Sequence, residues 1–355
     1  MTDEPLGSHV LELEVAEVVE ETADARSLVF RVPDGSEIPA ERLRYAPGQF
    51  LTLRVPSERT GSVARCYSLC SSPFTGDPMT VTVKRTADGY ASNWLCEHAH
   101  AGMKIHVLAP SGTFVPKTLD SDFLLLAAGS GITPMLSICK SALAEGSGKV
   151  VLVYANEDEN SVIFGKALRE LVAKYPDRLT VVHWLVSVQG LPTASALAGL
   201  VAPHIAHDTY ICGPAPFMAA AEEALKNVGA DAGRIHIEVF KSLESDPFAA
   251  VVVDYSEDDD SDEGPATAIV TLDGEKHEVR WPRNAKLLDV LLDKGLDAPF
   301  SCREGHCGAC AVLKKSGEVE MEVNDVLEQS DLDEGLILGC QAKPRSDSVE
   351  VTYDE

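Results

Sequence analysis

Long apolar runs are absent from this 355-residue chain, and no stretch approaches the ~18 residues that a membrane-spanning helix needs. The first eight residues are polar and include Asp3 and Glu4, which does not fit a secretion signal. Both absences favour a soluble, cytoplasmic protein. Because thiols stay reduced in that compartment, we expect the nine cysteines to serve purposes other than disulfide bonding.

Basic residues are also scarce: 30 Lys and Arg stand against 56 Asp and Glu, which gives a formal net charge of −26 at pH 7. This balance argues against nucleic acid or an anionic membrane as a partner. The net charge is −9 over residues 1–240, −8 over residues 241–263 and −9 over residues 264–355. Negative charge is therefore densest in the rear of the chain.

Four cysteines follow the spacing C-x4-C-x2-C with a distant fourth member, namely Cys302, Cys307, Cys310 and Cys340. Plant-type ferredoxins hold a [2Fe–2S] cluster with this spacing. Gly305 and Gly308 lack side chains, so the loop backbone can wrap a cluster and aim N–H groups at its sulfurs. The alternatives are buried structural thiols or a zinc site, although zinc sites favour paired C-x2–4-C spacings. We predict a one-electron [2Fe–2S] centre.

The rest of the chain divides into blocks with different patterns. Residues 9–119 contain short β-type runs broken by turn residues, which predicts a small antiparallel barrel. Residues 120–240 alternate apolar strands with amphipathic helices, which predicts a doubly wound parallel sheet. Residues 241–263 are acidic and are interpreted as a linker or, alternatively, as a partner-docking tail. Residues 264–355 have the size of one α+β ferredoxin domain.

The barrel block contains Arg65-Cys66-Tyr67-Ser68, an R-x-Y-S sequence that resembles the flavin motif of the ferredoxin–NADP reductase family. The resemblance implies that the Arg pairs with the flavin pyrophosphate, the Tyr ring covers the isoalloxazine and Ser68 reaches its N5. A second segment follows, from which we expect cofactor contacts by Val83, Lys84, Gly89, Ala91 and Ser92. Ser92 is expected to cap a phosphate-binding helix. The alternative is a strand with an exposed Arg and a half-buried Tyr.

The second block carries a glycine turn between a buried strand and a helix, Gly129-Ser130-Gly131-Ile132-Thr133-Pro134. It is not the G-x-G-x-x-G fingerprint, and it resembles the G-x-G-I-T-P turn of the same reductase family. Cys212-Gly213-Pro214 resembles the family's C-G-P motif beside the nicotinamide. The resemblance implies nucleotide contacts from Gly129, Gly131, Thr133, Pro134, Cys212, Gly213 and Pro214, with Ser68 and Cys212 acting catalytically.

The loop after the second strand of this block favours NADH over NADPH. Glu157, Asp158 and Glu159 would repel a 2′-phosphate and could accept from a ribose hydroxyl. A merely solvated acidic turn would leave this choice open. Farther on, Phe240 occupies the position of the aromatic residue that often covers the flavin in the family. Alternatively, Phe240 packs where the last strand meets the linker.

The order of barrel, nucleotide domain, linker and ferredoxin domain resembles the iron–sulfur flavoprotein reductases of bacterial oxygenases. The resemblance implies FAD (FMN in some relatives), NADH, one [2Fe–2S] cluster and transient docking to a terminal oxygenase. Within this family, four further stretches resemble the subgroup that serves Rieske-type 3-ketosteroid hydroxylases: residues 5–13, 45–50, 57–68 and 240–248. Reductase subunits of phenylacetyl-CoA epoxidases share the layout and are the alternative.

The leading hypothesis is an enzyme, expected to be monomeric, that passes electrons from NADH to FAD, to the cluster and to an oxygenase. A different class of function is a non-catalytic iron–sulfur carrier or sensor whose flavoprotein part has lost turnover. The intact motif residues, which include Arg65, Tyr67, Gly131 and Cys212, favour the enzyme. A visible spectrum and an NADH oxidation assay would separate the two hypotheses.

Overall fold

The computed structural model describes residues 6–7, 9–255 and 264–354. The first sheet is a six-stranded antiparallel barrel with the strand order β4-β3-β6-β1-β2-β5. Along β1, side chains alternate between the core and the surface, as expected for strands with one buried face. Its elements are β1 (Leu11–Thr22), β2 (Ala25–Arg31), β3 (Phe50–Ser57), β4 (Gly61–Ser68), β5 (Thr80–Lys84), α1 (Tyr90–His98) and β6 (Lys104–Val107).

The second sheet is parallel, with the strand order β11-β10-β7-β8-β9. Every residue of β7 and β8 is buried, because α2 and α3 pack on one face and α5 and α6 on the other. Its elements are β7 (Phe123–Ala128), α2 (Ile132–Glu145), β8 (Val150–Asn156), α3 (Gly165–Lys174), β9 (Leu179–Leu185), α4 (Val186–Gln189), α5 (Ala194–Val201), β10 (Asp208–Cys212), α6 (Ala215–Asn227) and β11 (Ile235–Glu238).

The third sheet has the order β13-β12-β18-β14-β16, and a separate pair is formed by β15 and β17. Strands β12 and β18 are parallel, whereas the other pairings are antiparallel. Its elements are β12 (Ala266–Leu272), β13 (Glu275–Trp281), α7 (Leu287–Asp293), β14 (Ala311–Ser316), β15 (Val319–Met321), α8 (Gln329–Asp333), β16 (Leu336–Leu338), β17 (Ala342–Pro344) and β18 (Ser348–Thr352). The barrel, the parallel sheet and this domain match the predicted fold class.

The segment 241–255 connects the second and third sheets without forming a helix or strand of its own. Two of its apolar side chains are nevertheless buried: Phe248 is 0% exposed, and Leu243 shares a hydrophobic core with the third sheet. Ala64 of the barrel belongs to the same core. The apolar half of the predicted linker therefore fastens the third domain to the barrel. The acidic residues 256–263 lie outside the described residues.

Within the described part of the chain, no helix combines the length and the apolar character needed to cross a lipid bilayer.

Candidate active site

The loops that follow β7 and β10 meet at the carboxyl edge of the parallel sheet. Gly129 has φ +54°, a conformation that glycine adopts without strain. A Cβ on Gly131 would lie 2.1 Å from the carbonyl oxygen of Cys212. Only glycine allows this approach, so the predicted turn and the predicted C-G-P segment form one surface. Open α/β sheets bind ligands at this edge.

A basic side chain of the barrel reaches the same turn. A Cβ on Gly129 would lie 3.8 Å from Nζ of Lys84, and Lys84 forms an ion pair with Asp24 at 3.6 Å. From the other side, the Tyr154 hydroxyl donates to the Gly129 carbonyl oxygen at 3.1 Å. A glycine turn at a helix start with an ammonium group beside it suits a phosphate. This cradle fits a dinucleotide.

The flavin motif lies on β4, beside the entrance of this cleft. Arg65 donates from Nη1 to the carbonyl oxygens of Ala64, at 2.6 Å, and Leu243, at 3.1 Å. Burial raises the pKa of the Tyr67 hydroxyl well above its usual value. Ser68 is buried, and its hydroxyl donates to a carboxylate oxygen of Glu238 at 3.5 Å. The barrel and the parallel sheet therefore meet at Ser68.

Glu238 is the functional candidate that the sequence analysis did not single out. It ends β11 and lies opposite Cys212 in the register of the two strands. Burial raises its pKa to about 8, and the hydrogen bond from Ser68 offsets this only in part. A carboxyl group that titrates near neutral pH in a cleft can hold and exchange a proton. The sequence feature that could have indicated Glu238 is a single carboxylate at the end of a strand, two residues before Phe240.

The Cys212 thiol faces the same junction. It is buried, and burial raises its pKa well above the usual value, with the nearby Glu238 carboxylate adding to the shift. The thiol is therefore protonated at neutral pH and is not an activated thiolate nucleophile. Phe240, by contrast, is 48% exposed, so its ring is free to cover a ligand. The structure thus brings Ser68, Cys212 and Glu238 together, with Phe240 two residues from Glu238.

The prediction that Ser92 caps a helix is wrong. Helix α1 begins at Tyr90 with Gly89 as its N-cap, so Ser92 lies inside the first turn. Its hydroxyl accepts from the Thr86 amide at 3.1 Å and donates to the Gly89 carbonyl oxygen at 3.4 Å. Ser92 and the neighbouring Ala91 are buried. Ser92 therefore shapes the turn that precedes the helix, and its side chain is occupied.

The acidic loop after β8 divides its carboxylates between two tasks. Asp158 accepts from the amides of Asn160 and Ser161, both at 3.0 Å, and so caps a short helical turn. Glu157 is exposed at the end of β8. Asp158 is therefore committed to the loop itself, which leaves Glu157 as the predicted nucleotide contact.

The four predicted cluster ligands lie together, between α7 and β14 and at the end of β16. Cys302, Cys310 and Cys340 are buried and Cys307 is half-buried. The Cys307 and Cys340 thiols hydrogen-bond to Cys302, and these contacts lower the pKa of Cys302. Cys340 also hydrogen-bonds to Cys310. The four cysteines that share this sequence spacing thus lie together as one set of neighbouring thiols in the structure.

Backbone amides point at these sulfurs, as a cluster loop requires. The amides of Glu304 and His306 donate to Sγ of Cys302 at 3.3 Å and 3.5 Å. Gly305 and Gly308 have φ +82° and +69°, which explains the two glycines. Apart from these four cysteines, whose thiols hydrogen-bond to one another, no group of three or more His, Cys, Asp or Glu side chains among the described residues is placed to hold a metal ion. The fit to [2Fe–2S] rests on the four paired thiols and their amide donors.

The cluster loop packs directly on the barrel. A Cβ on Gly308 would lie 2.6 Å from Cγ2 of Thr113, so the loop has no room for a larger residue there. On the far side, Glu304 accepts from the amides of Glu244 and Ser245 at 2.9 Å and 2.6 Å. The cluster loop is therefore held between the barrel block, at Thr113, and the segment 241–255, at Glu244 and Ser245.

A flavin-motif barrel, a nucleotide cleft and a four-thiol loop in one chain define an iron–sulfur flavoprotein reductase. Three family models agree with these parts. They are described as an oxidoreductase FAD-binding domain, which matches residues 12–115, an oxidoreductase NAD-binding domain, which matches residues 125–223, and a 2Fe-2S iron-sulfur cluster binding domain, which matches residues 270–345.

Whole-length relatives specify the family further. The 3-ketosteroid-9-alpha-monooxygenase ferredoxin reductase component of Mycolicibacterium smegmatis is 80% identical over 355 residues, covering 100% of both chains. The chain belongs to this family of ferredoxin reductase components. One component of the 1,2-phenylacetyl-CoA epoxidase of Escherichia coli is 35% identical, and the match covers 96% of this chain and 97% of that relative. The solved phthalate dioxygenase reductase has a TM-score of 0.56 at 25% identity, covering 97% of this chain and 98% of its own.

Proposed function

We propose that the chain takes electrons from NADH and delivers them, through FAD and a [2Fe–2S] cluster, to a terminal oxygenase that hydroxylates a 3-ketosteroid. The observation that carries this proposal is the 80% identity over the whole chain to a reductase component of that system. The cleft and the cluster loop support it, because the flavin motif lies on β4 and the cluster loop contacts the neighbouring strand β3 through Ser301 and Thr52. The chain is proposed to act as a monomer in the cytoplasm.

Bound cofactors supply the redox chemistry, in which a hydride carries two electrons from the nicotinamide to the flavin and single electrons pass on to the cluster. The protein provides the positions. Gly129 and Gly131 open the backbone to the nucleotide phosphates, and Lys84 adds positive charge beside them. Exposed Glu157 favours NADH, because a 2′-phosphate would meet its carboxylate.

Proton handling falls to the polar side chains of the cleft, of which Ser68 is buried and Glu238 is partly exposed. Ser68 donates to Glu238, whose pKa of about 8 lets it carry a proton at neutral pH. Cys212 stays protonated and fills the floor of the cleft with a small, weakly polar group. Tyr67 and Phe240 are proposed to lie against the two faces of the flavin ring, where they exclude water.

The terminal oxygenase is proposed to be of the Rieske type and to bind transiently, since single electrons are delivered and the carrier must leave. Residues 264–355 carry a net charge of −9, so a basic patch on the oxygenase would steer the encounter. Turnover at limiting reductase should fall as salt rises, because the Debye length is already ~10 Å at 0.1 M. A rate that stays flat with salt would contradict electrostatic steering.

Reconstitution with purified oxygenases tests the proposal. The protein is combined with NADH, oxygen and a 3-ketosteroid hydroxylase, and with a phenylacetyl-CoA oxygenase in a parallel reaction. We expect NADH-dependent hydroxylated steroid, and none with the Cys307→Ala variant. Product in the phenylacetyl-CoA reaction alone would show that the chain serves a phenylacetyl-CoA oxygenase instead. NADH oxidation without product in either reaction would contradict the proposal that the chain delivers electrons to an oxygenase. Absence of NADH oxidation would contradict the enzyme hypothesis and favour a non-catalytic iron–sulfur carrier.

A further inference from the structure

Two buried hydroxyl groups join the barrel to the cluster loop. Thr52 Oγ1 and Ser301 Oγ are 2.6 Å apart, although the residues are 249 positions apart in the sequence. Thr52 is 0% exposed and Ser301 is 1% exposed. Cys66 completes the group: its Sγ lies 3.4 Å from Thr52 Oγ1 and also hydrogen-bonds to Ser301. We call Thr52, Cys66 and Ser301 the hydroxyl–thiol junction.

The residues of the junction are neighbours, along the sequence or in the sheet, of the flavin motif on one side and of the cluster ligands on the other. Cys66 stands between Arg65 and Tyr67 of the flavin motif, and Thr52 lies opposite Cys66 in the β3–β4 register. On the other side, Ser301 immediately precedes Cys302, the first cluster ligand. Cys66 of the flavin motif and the cluster ligand Cys302 are thus connected through the hydrogen bond between Cys66 and Ser301 and the peptide bond between Ser301 and Cys302.

Other polar contacts between the barrel side and the third domain are more exposed. Arg42 pairs with Asp297 at 3.3 Å and Lys241 pairs with Asp325 at 2.7 Å, with side chains 25% to 53% exposed. Exposed ion pairs contribute little and weaken with salt. A buried hydroxyl pair is different, because separating it leaves two desolvated polar groups without partners. The junction therefore favours one register of the cluster loop against β3 and β4.

We propose that the hydroxyl–thiol junction positions the cluster for electron transfer from the flavin, as a contact that sets both distance and register. This inference rests on the proposed function. In each transfer, one electron leaves the reduced flavin and reduces the oxidised cluster, and no atom moves along the junction. Thr52 and Ser301 are positioning residues, since they touch the loop and the strand and not the reacting atoms.

Two substitutions of Thr52 test the junction in the full, cofactor-loaded protein. Thr52→Val keeps the shape and removes the hydroxyl, whereas Thr52→Ser keeps the hydroxyl. The matched control is Ser141→Ala, which breaks an equally buried hydroxyl pair, Ser72 and Ser141 at 2.8 Å, between the barrel and the nucleotide domain. Anaerobic rapid mixing with NADH separates flavin reduction from cluster reduction, and hydrogen exchange reports the protection of residues 301–310.

We expect Thr52→Val to slow flavin-to-cluster transfer about fivefold, which is about 1 kcal/mol at 1.4 kcal/mol per tenfold. It should also speed amide exchange in residues 301–310 and leave flavin reduction by NADH unchanged. Thr52→Ser should restore both properties, and Ser141→Ala should affect neither.

Wild-type transfer and exchange in Thr52→Val would overturn the inference, as would an equal effect of Ser141→Ala. Both outcomes would leave the proposed function intact, provided that NADH reduces the wild-type cluster. A wild-type cluster that NADH never reduces would instead contradict the proposed function.

Discussion

The barrel has two junctions of opposite construction. Toward the nucleotide domain, Ala25 and Cys70 of the barrel share a core with that domain, but an open cleft remains beside it, formed by the close approach of Gly131 to Cys212 and by the half-exposed Phe240. Toward the cluster domain, the surface is filled: Ala64 and Phe248 share its hydrophobic core, and Thr52 bonds to Ser301. A nucleotide must enter and leave the first junction, whereas only electrons cross the second. Open and closed packing follow from that difference.

Removing a cluster ligand should separate the two junctions most completely. In Cys307→Ala, we expect loss of the reduced-cluster EPR signal, because four thiolates are needed to hold both irons. FAD should remain bound, and NADH reduction of a small flavin-directed acceptor should survive. Cys139→Ala, which removes a buried thiol of α2 far from the loop, should keep the signal. A normal EPR signal in Cys307→Ala would disprove the ligand assignment.

Filling the open junction should produce the next largest effect. In Gly131→Ala, the new Cβ would meet the Cys212 carbonyl oxygen, so the two loops must move apart. We expect kcat/KM for NADH to fall on the order of a hundredfold, as misplaced reactants do. Steady-state kinetics with a flavin-directed acceptor measures it. The control is Gly199→Ala, where a Cβ meets nothing within 4 Å. Equal losses in both variants would contradict the tight approach of the loops.

The Glu238 carboxyl at the open junction should make the free energy of unfolding depend on pH. Burial raises the pKa of Glu238 to about 8, against ~4.3 in an unfolded chain. Between these values the folded protein binds the extra proton, so the free energy of unfolding falls as pH rises. The slope is at most ~1.4 kcal/mol per pH unit, and less in practice because the side chain is partly exposed.

Urea unfolding of wild type and Glu238→Gln at about pH 6 and about pH 8 measures this contribution. The variant lacks the titrating carboxyl, so its stability relative to wild type should rise with pH. Glu222→Gln, which neutralises an exposed carboxylate on α6, should show no such trend. A difference between Glu238→Gln and wild type that stays constant with pH would rule out the raised pKa.

The smallest expected effect concerns nucleotide choice at the rim of the open junction. Replacing exposed Glu157 with Arg supplies a partner for a 2′-phosphate, so preference should shift several-fold toward NADPH. Asp158 is left unchanged because it caps its own loop. Glu159→Arg adds the same charge two residues away and should shift preference less. Equal kcat/KM of the wild type for NADH and NADPH would show this interpretation of the loop to be wrong.

The sequence predicted what local spacing determines. Cysteine spacing correctly anticipated one group of thiols, and Gly131 followed from a glycine turn after a buried strand. These signals are local because a loop or turn constrains its own residues. The fold class also followed from the alternation of strands and helices.

Features that depend on tertiary contacts were not predictable in the same way. Ser92 has the residue type of a cap, but Gly89 begins the helix and Ser92 bonds to the preceding turn. Glu238 owes its raised pKa to burial, which the sequence does not show, and Phe248 is buried in a core that also contains residues of the barrel and of the third domain. Thr52 and Ser301 carry no motif, since each gains its partner only when distant segments pack.

The central claim is that electrons enter at the open junction and cross the closed one. Anaerobic titration of the intact protein with NADH, followed by visible absorption and EPR, tests it without an oxygenase. We predict that flavin absorbance bleaches and that a reduced-cluster EPR signal then grows in with every added equivalent until the cluster is fully reduced. A flavin that bleaches completely while the cluster stays oxidised would contradict the claim.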